Sequence, residues 1–288
     1  MTGAAIRTIA MSIPCEPEVI EQLRSAKRLR GKAASGGFAF DLDLSTPALS
    51  VAIHAGHSVR EELLPLMQIS EKDRLFEEDP ATDRMIRGNA NAIWGLDSRA
   101  EYDLNRTVEQ AVPLTAEQFW GVQVYHAAPT DAMKGRSLEK YDAFYRFAGS
   151  CIRVLLERFG FCVVYDIHSY NISRQVEKEI GNPPLFNLGT ALLDRSRWGG
   201  RIDAWLHQLG RIKVPGICTT VEENGVFSGA GELCRCLTGW DPRILVLPTE
   251  IAKVYMDEYN GILHEPLIDA LSHGLRRAIA AHTPPVDR

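Results

Sequence analysis

The chain has 288 residues, of which 45% are hydrophobic and 24% are charged, as in a folded globular protein rather than a disordered or fibrous one. The formal net charge is −5 and there is no block of Lys or Arg residues, so a nucleic-acid surface and a polybasic membrane patch are not expected. The length fits one large α/β domain or two small ones, and we expect a single domain over residues 1–288.

The first predicted elements lie between residues 48 and 167. Residues 48–55 read as a buried strand between Pro47 and Gly56. Residues 137–159 carry apolar side chains at helical spacing, and Gly160 follows as a helix stop. The continuous apolar run 161–167 comes directly afterwards and is typical of a buried strand.

The second half continues the alternation. We predict a helix near residues 190–209, a strand near 215–221, a strand over 244–251 and a C-terminal helix near 263–281. Apolar strands that alternate with helices favour an α/β fold with a mixed, mainly parallel central sheet and helices on both faces.

Targeting signals and disulfides are not expected. Residues 1–12 contain neither the apolar core nor the cleavage site of a signal peptide, and no run approaches the ~18 apolar residues of a membrane span. The six scattered cysteines suit free thiols in a reducing compartment, so we expect a cytoplasmic protein. Cys234 and Cys236, one residue apart with no second pair, make only a weak zinc site.

Two histidines follow predicted strands and are candidate metal ligands. In parallel sheets, ligands bind beyond the carboxyl ends of the strands, where His54 and His168 both lie. Asp166 shares a strand face with His168 and is expected to orient it or a neighbouring group. His57 is expected to be a surface residue or to support the ligands.

A carboxylate would complete a zinc site with two histidines and an open position for water. Glu77, Glu78, Asp79 and Pro80 are expected to open a helix, where most acidic side chains only interact with the helix dipole. Asp79 is our choice of ligand, and Glu78 is the alternative.

Glu250 ends the apolar run 244–249, where a carboxylate is costly to bury without a partner. A glutamate beside metal-activated water suits a general base, whereas a buried structural ion pair is the alternative. Should Glu250 not be the base, Glu222, Glu223 and Asp166 are the other candidates.

Arg99, Asp103, Asn105 and Arg106 form a polar cluster between predicted elements. Arginine can grip a carboxylate with two parallel hydrogen bonds, although a surface salt-bridge loop has the same composition. The glycine-rich residues 228–231 fit a loop that closes over substrate or a plain turn. The chain has no G-x-S-x-G motif and no P-loop, which disfavours serine hydrolases and nucleotide binding.

These motifs occur in a recognisable order along residues 50–260. They are His54-Ala-Gly56, Glu78-Asp79-Pro-Ala-Thr-Asp83, Ser98-Arg99-Ala-Glu-Tyr-Asp103-Leu-Asn105-Arg106, Asp166-Ile-His168-Ser169, Pro248-Thr-Glu250-Ile and Tyr255-Met256-Asp257-Glu258. Together they resemble the N-formylglutamate amidohydrolase family, which is related to zinc carboxypeptidases and aspartoacylases.

The resemblance implies one zinc ion and a hydrolytic reaction on a linear amide. It makes His54, Asp79 and His168 the metal ligands and Glu250 the base that activates water. The expected reaction releases the acyl group of a small N-acyl amino acid, with N-formyl-L-glutamate giving formate and glutamate.

The resemblance also implies a small-molecule substrate that carries a carboxylate. Asn105 and Arg106 would clamp its α-carboxylate, and Arg99 would support them or reach a second carboxylate. Pro80 and Ala81 stand where many members carry an aromatic residue and a histidine, which leaves the acyl group and the amino acid open.

Two other functions use the same residues. A zinc carboxypeptidase-like exopeptidase would act on peptides, and a metal-free member of the fold would only bind ligand. Metal content and an open or closed pocket distinguish them. The oligomeric state does not follow from the sequence.

Overall fold

The computed structural model describes residues 13–178 and 181–283, so the segment in which we expected no signal peptide lies outside the described residues. One sheet contains the strands β1 Leu29–Lys32, β2 Phe38–Leu42, β3 Ala48–Ala52, β4 Asn91–Gly95, β5 Cys162–Tyr170, β6 Phe186–Leu188, β7 Val221–Glu223 and β8 Ile244–Ala252. Their order across the sheet is β1-β2-β4-β3-β5-β8-β6-β7.

Helices cover both faces of this sheet. They are α1 Pro17–Ser25, α2 Glu71–Glu77, α3 Thr82–Ile86, α4 Asp131–Phe159, α5 Ile172–Glu177, α6 Arg195–Gly210, α7 Glu232–Trp240 and α8 Glu265–His282. Cys162 and Val164 of β5 pack in one core with α1, α4 and α7. Val163 and Tyr165 point the other way, into a core with α3, α6 and α8. The predicted fold class is therefore confirmed. None of the described helices combines the length and hydropathy of a membrane span.

The centre of the sheet is parallel and positions the site. β4, β3, β5 and β8 are neighbouring parallel strands, whereas the pairs β1–β2, β2–β4 and β6–β8 are antiparallel. The carboxyl ends of β3, β5 and β8 consequently meet at one edge. His168 and Glu250 are register partners on β5 and β8, so their side chains lie on the same face.

The predicted bounds were accurate where turn residues mark them. Gly160 ends α4 in the left-handed conformation, with φ of 76°. The predicted strand at residues 215–221 is wrong: β7 begins only at Val221, because Pro215 and Gly216, with φ of 73°, make a turn there. α6 begins at Arg195 rather than near 190, because the Asp194 carboxylate accepts hydrogen bonds from the first backbone N–H groups.

The acidic segment Glu77–Pro80 was expected to open a helix, and this was wrong in part. Glu77 is the last residue of α2, and α3 begins only at Thr82. Pro80 and the left-handed Ala81, with φ of 64°, interrupt the helical conformation between α2 and α3. Asp79 therefore lies on a short link that the two helices hold at the edge of the sheet.

Candidate metal centre and substrate pocket

Three buried side chains bring possible ligand atoms to one point. His54 Nδ1 lies 3.2 Å from His168 Nδ1 and 3.4 Å from Asp79 Oδ2, and His168 Nδ1 lies 3.2 Å from the same oxygen. Tetrahedral bonds of ~2.0–2.1 Å place neighbouring ligand atoms about 3.3 Å apart. The three atoms thus have the separations that a single tetrahedral ion requires.

The backbone around Asp79 holds its carboxylate in place. The Asp79 N–H donates to the His54 carbonyl over 3.0 Å, which ties the helix link to the end of β3. The Thr82 hydroxyl donates to the Asp79 carbonyl over 2.7 Å. On the side chain, Oδ1 accepts a hydrogen bond from the Ser169 hydroxyl over 3.1 Å, which leaves Oδ2 directed at the two histidines.

Glu78, the alternative ligand, has other partners. Its carboxylate forms short hydrogen bonds with the His57 ring and the Ser98 hydroxyl, and it is almost fully buried there. Asp79 is therefore the carboxylate that lies beside both histidines, and His57 lies outside the cluster, on the far side of Glu78.

Each histidine of the cluster has a second carboxylate behind it. Asp103 Oδ1 lies 2.7 Å from His54 Nε2. Asp166 Oδ1 lies 2.9 Å from His168 Nε2, at an angle outside ordinary hydrogen-bond geometry, so this contact is mainly electrostatic. Because a carboxylate only accepts, both contacts favour a proton on Nε2 and leave the two Nδ1 lone pairs facing each other.

The cluster stabilises positive charge. Burial alone would lower the pKa of His168, but the adjacent Asp166 and Asp79 carboxylates raise it well above its usual value. Burial alone would raise the pKa of Asp79, yet the two histidines lower it. Two imidazole nitrogens and a carboxylate oxygen around one point fit a divalent cation such as zinc.

Glu250 lies on the same face of the sheet and is partly exposed to the pocket, not enclosed as the sequence suggested. Its carboxylate forms no hydrogen bond or ion pair with the described residues. Burial raises the pKa of Glu250 to about 8, and the nearby Asp79 and Asp166 contribute in the same direction. A half-buried carboxylate without a structural partner is available for proton transfer.

The two arginines of the polar cluster have different surroundings. Arg99 is buried, donates to Asp103 Oδ2 over 2.7 Å and to the Glu77 carbonyl over 3.3 Å, and lies 4.1 Å from the centroid of the Trp120 ring. Arg106 is half-exposed, lies 5.3 Å from the same ring and comes no closer than 3.9 Å to Asp103. Arg99 therefore supports Asp103, whereas the Arg106 guanidinium remains available to an anion.

Asn105 connects this cluster to α7. Its Oδ1 accepts a hydrogen bond over 3.2 Å from the backbone N–H of Leu233, in the first turn of that helix. The backbone N–H of Asn105 donates to Asp103 Oδ1 over 2.8 Å. A Cβ atom at Gly231 would lie 2.3 Å from the Asn105 amide, so a larger residue there would displace the Asn105 side chain. The amide nitrogen of Asn105 is left to face the pocket, where a carboxylate acceptor would fit.

These groups line one cavity of about 380 Å³, the size of a small-molecule site. The glycine-rich residues 228–231 form part of its wall. Asp103, Trp120 and Lys253 also lie in or behind this wall, and no role was expected for them from the sequence. Of the three, only Asp103 could have been recognised in the sequence, as the first residue of the Asp-Leu-Asn-Arg motif.

Comparisons with known proteins show a family and a fold for this chain. Residues 46–256 match a family model described as N-formylglutamate amidohydrolase. A crystal structure of N-formylglutamate amidohydrolase from Ralstonia eutropha JMP134 is 18% identical, with a TM-score of 0.68 over 85% of this chain and 97% of that one. A gene product from Agrobacterium tumefaciens is 17% identical, with a TM-score of 0.62 over 88% and 95%. Curated proteins gave no match.

Proposed function

The chain belongs to the N-formylglutamate amidohydrolase family, and from this premise we propose that it is a zinc-dependent amidohydrolase that cleaves the acyl amide of a small N-acyl amino acid. N-formyl-L-glutamate is the first candidate substrate, with formate and glutamate as products. The observation that carries the proposal is the convergence of His54 Nδ1, Asp79 Oδ2 and His168 Nδ1 at separations of 3.2–3.4 Å.

The proposed metal site needs these three ligands and two supporting carboxylates. When bound, the metal supplies a lowered pKa for water and polarisation of the acyl carbonyl. Asp103 and Asp166 hold the imidazole rings in the orientation that presents Nδ1 to the site.

Glu250 is proposed as the general base. It takes a proton from the attacking water as the water oxygen bonds to the acyl carbon, and it then delivers that proton to the amine nitrogen as the C–N bond breaks. Water is thereby added across the amide, and the carboxylate is regenerated. Its position beside His168 on the neighbouring strand and its lack of another partner support this role.

Arg106 and Asn105 are proposed to hold the α-carboxylate of the substrate. Arg106 has an available guanidinium edge, and Asn105 has an available amide nitrogen in the same cavity. Arg99 acts through Asp103, with which it forms two hydrogen bonds. Asp103 consequently contacts both His54, a proposed metal ligand, and Asn105, which with Arg106 forms the proposed carboxylate clamp.

We expect Arg106→Ala to raise KM by about 10- to 100-fold and to change kcat less, because charge-assisted hydrogen bonds to the substrate carboxylate are lost. Steady-state kinetics and metal analysis of the same preparation measure this. Arg106→Lys should recover only part of the affinity, since an ammonium lacks the planar fork. An unchanged KM for the best acidic substrate would contradict the clamp.

A substrate panel tests the function directly. The zinc-loaded protein is assayed with N-formyl, N-acetyl and peptide substrates that end in glutamate, and products are identified by mass spectrometry. Release of formate from N-formylglutamate with the highest kcat/KM supports the proposal. Preference for peptides would indicate an exopeptidase, and binding without turnover would indicate a ligand-binding protein.

A further inference from the structure

Lys253 is a buried cation that the proposed chemistry does not use. It follows the last residue of β8, three positions after Glu250, and only 2% of its surface is exposed. Its Nζ donates to the Phe76 carbonyl over 2.7 Å, and the residue lines the same cavity as Glu250 and His168.

The Lys253 ammonium has no ion-pair partner in the described part of the chain. No Asp or Glu oxygen of these residues lies within 4.0 Å of Nζ. Nearby carboxylates have other partners: Glu77 pairs with Arg174, and Glu258 accepts hydrogen bonds at the start of α5. An ammonium group has three N–H donors, and the Phe76 carbonyl accepts from only one of those of Lys253. A bound anion would supply acceptors for the others.

Contacts connect Lys253 to the proposed clamp along one wall. Lys253 and Arg99 donate to the consecutive carbonyls of Phe76 and Glu77. Arg99 and Arg106 both lie over Trp120. Because Asp103 neutralises Arg99, this line of contacts has Lys253 at one end and Arg106 at the other, and the exposed Lys178 also lines the cavity.

We propose that Lys253 binds a second carboxylate of the substrate and so selects N-acyl amino acids with an acidic side chain. The inference rests on the proposed function, in which Arg106 holds the α-carboxylate. A substrate with two carboxylates would contact Lys253 and Arg106 at once.

The test compares the binding of L-glutamate and L-glutamine, which differ in one charge, to the zinc-loaded protein by calorimetry. Lys253→Met keeps the length of the side chain and removes its charge. We expect the dissociation constant of glutamate to be about 10- to 100-fold higher for Lys253→Met than for the wild type, as for one lost charge-assisted hydrogen bond. The dissociation constant of glutamine should change by less than about threefold. Lys253→Arg should restore part of the preference. The exposed Lys213→Met is the matched control and should leave it unchanged.

Equal weakening of both ligands in Lys253→Met, or no preference for glutamate in the wild type, would overturn the inference. Parallel assays with N-formylglutamate and N-formylglutamine separate it from the proposed function. Turnover of both substrates at equal kcat/KM would refute the role of Lys253 and leave the proposed function intact. A Lys253-dependent preference for glutamate without any amide hydrolysis supports the role and refutes the proposed function.

Discussion

Glu250→Gln should lower kcat by about a hundredfold or more while metal content and folding stay unchanged, because a general base contributes 10²–10⁴-fold to rate. The substitution keeps the shape of the side chain and removes its proton acceptor. Burial raises the pKa of Glu250 to about 8, and a cation held by the neighbouring ligands would favour the ionised form that a base needs. Steady-state kinetics and metal analysis on one preparation measure the effect.

The exposed Glu139→Gln serves as the matched control, and its kcat should stay within about twofold of the wild type, as expected for a surface residue. A structural Glu250 predicts the opposite pattern, in which stability falls and the folded fraction keeps its activity. Near-normal kcat in a folded, zinc-loaded Glu250→Gln protein would exclude the base role. Glu222, Glu223 and Asp166 would then be the remaining candidates for the base, although the Glu223 carboxylate is already paired with Arg195.

His168→Ala should abolish stoichiometric metal binding and with it essentially all amide hydrolysis. The substitution removes one of the three proposed ligand atoms, which lie 3.2–3.4 Å apart. Metal analysis after dialysis should give about one zinc per wild-type chain and close to none in the variant. The exposed His126→Ala is the control that keeps its zinc.

Because His168→Ala also removes one partner of Asp79 and the His168 contact of Asp166, folding needs an independent measurement. Chelation of the wild-type protein should remove activity and lower its thermal unfolding temperature, and added zinc should restore both, since a ligand that binds only the folded state stabilises it. Full activity after complete removal of metal, or one tightly held zinc in His168→Ala, would contradict the metal centre.

The meeting of several candidate residues at one edge of the sheet could be predicted from the sequence because these residues follow strands. An apolar run that ends in a polar residue marks the carboxyl end of a buried strand, and parallel strands bring those ends together. His54, His168 and Glu250 were each recognised in this way, and the structure places them at one edge of the sheet. The glycine after α4 and the helical spacing before it likewise predicted where that helix ends.

Turns and links were predicted less well, because local patterns do not weigh them against long-range contacts. The apolar residues near 215–221 resemble a strand, but the turn at Gly216 delays β7 to Val221. The acidic residues before Pro80 resemble a helix start, but Glu77 ends the preceding helix.

Strand ends, helix stops and residue chemistry are local properties, so the fold class and the set of candidate groups could be predicted from the sequence. Which of these groups meet depends on the three-dimensional structure. Asp79 and Glu78 are adjacent in the chain, but the Asp79 carboxylate contacts His168, whereas the Glu78 carboxylate contacts His57. The tertiary structure also brings Asp103 to His54, Trp120 to both arginines and Lys253 into the cavity wall. Those contacts join residues far apart in the chain or on irregular links, where no sequence period predicts the direction of a side chain.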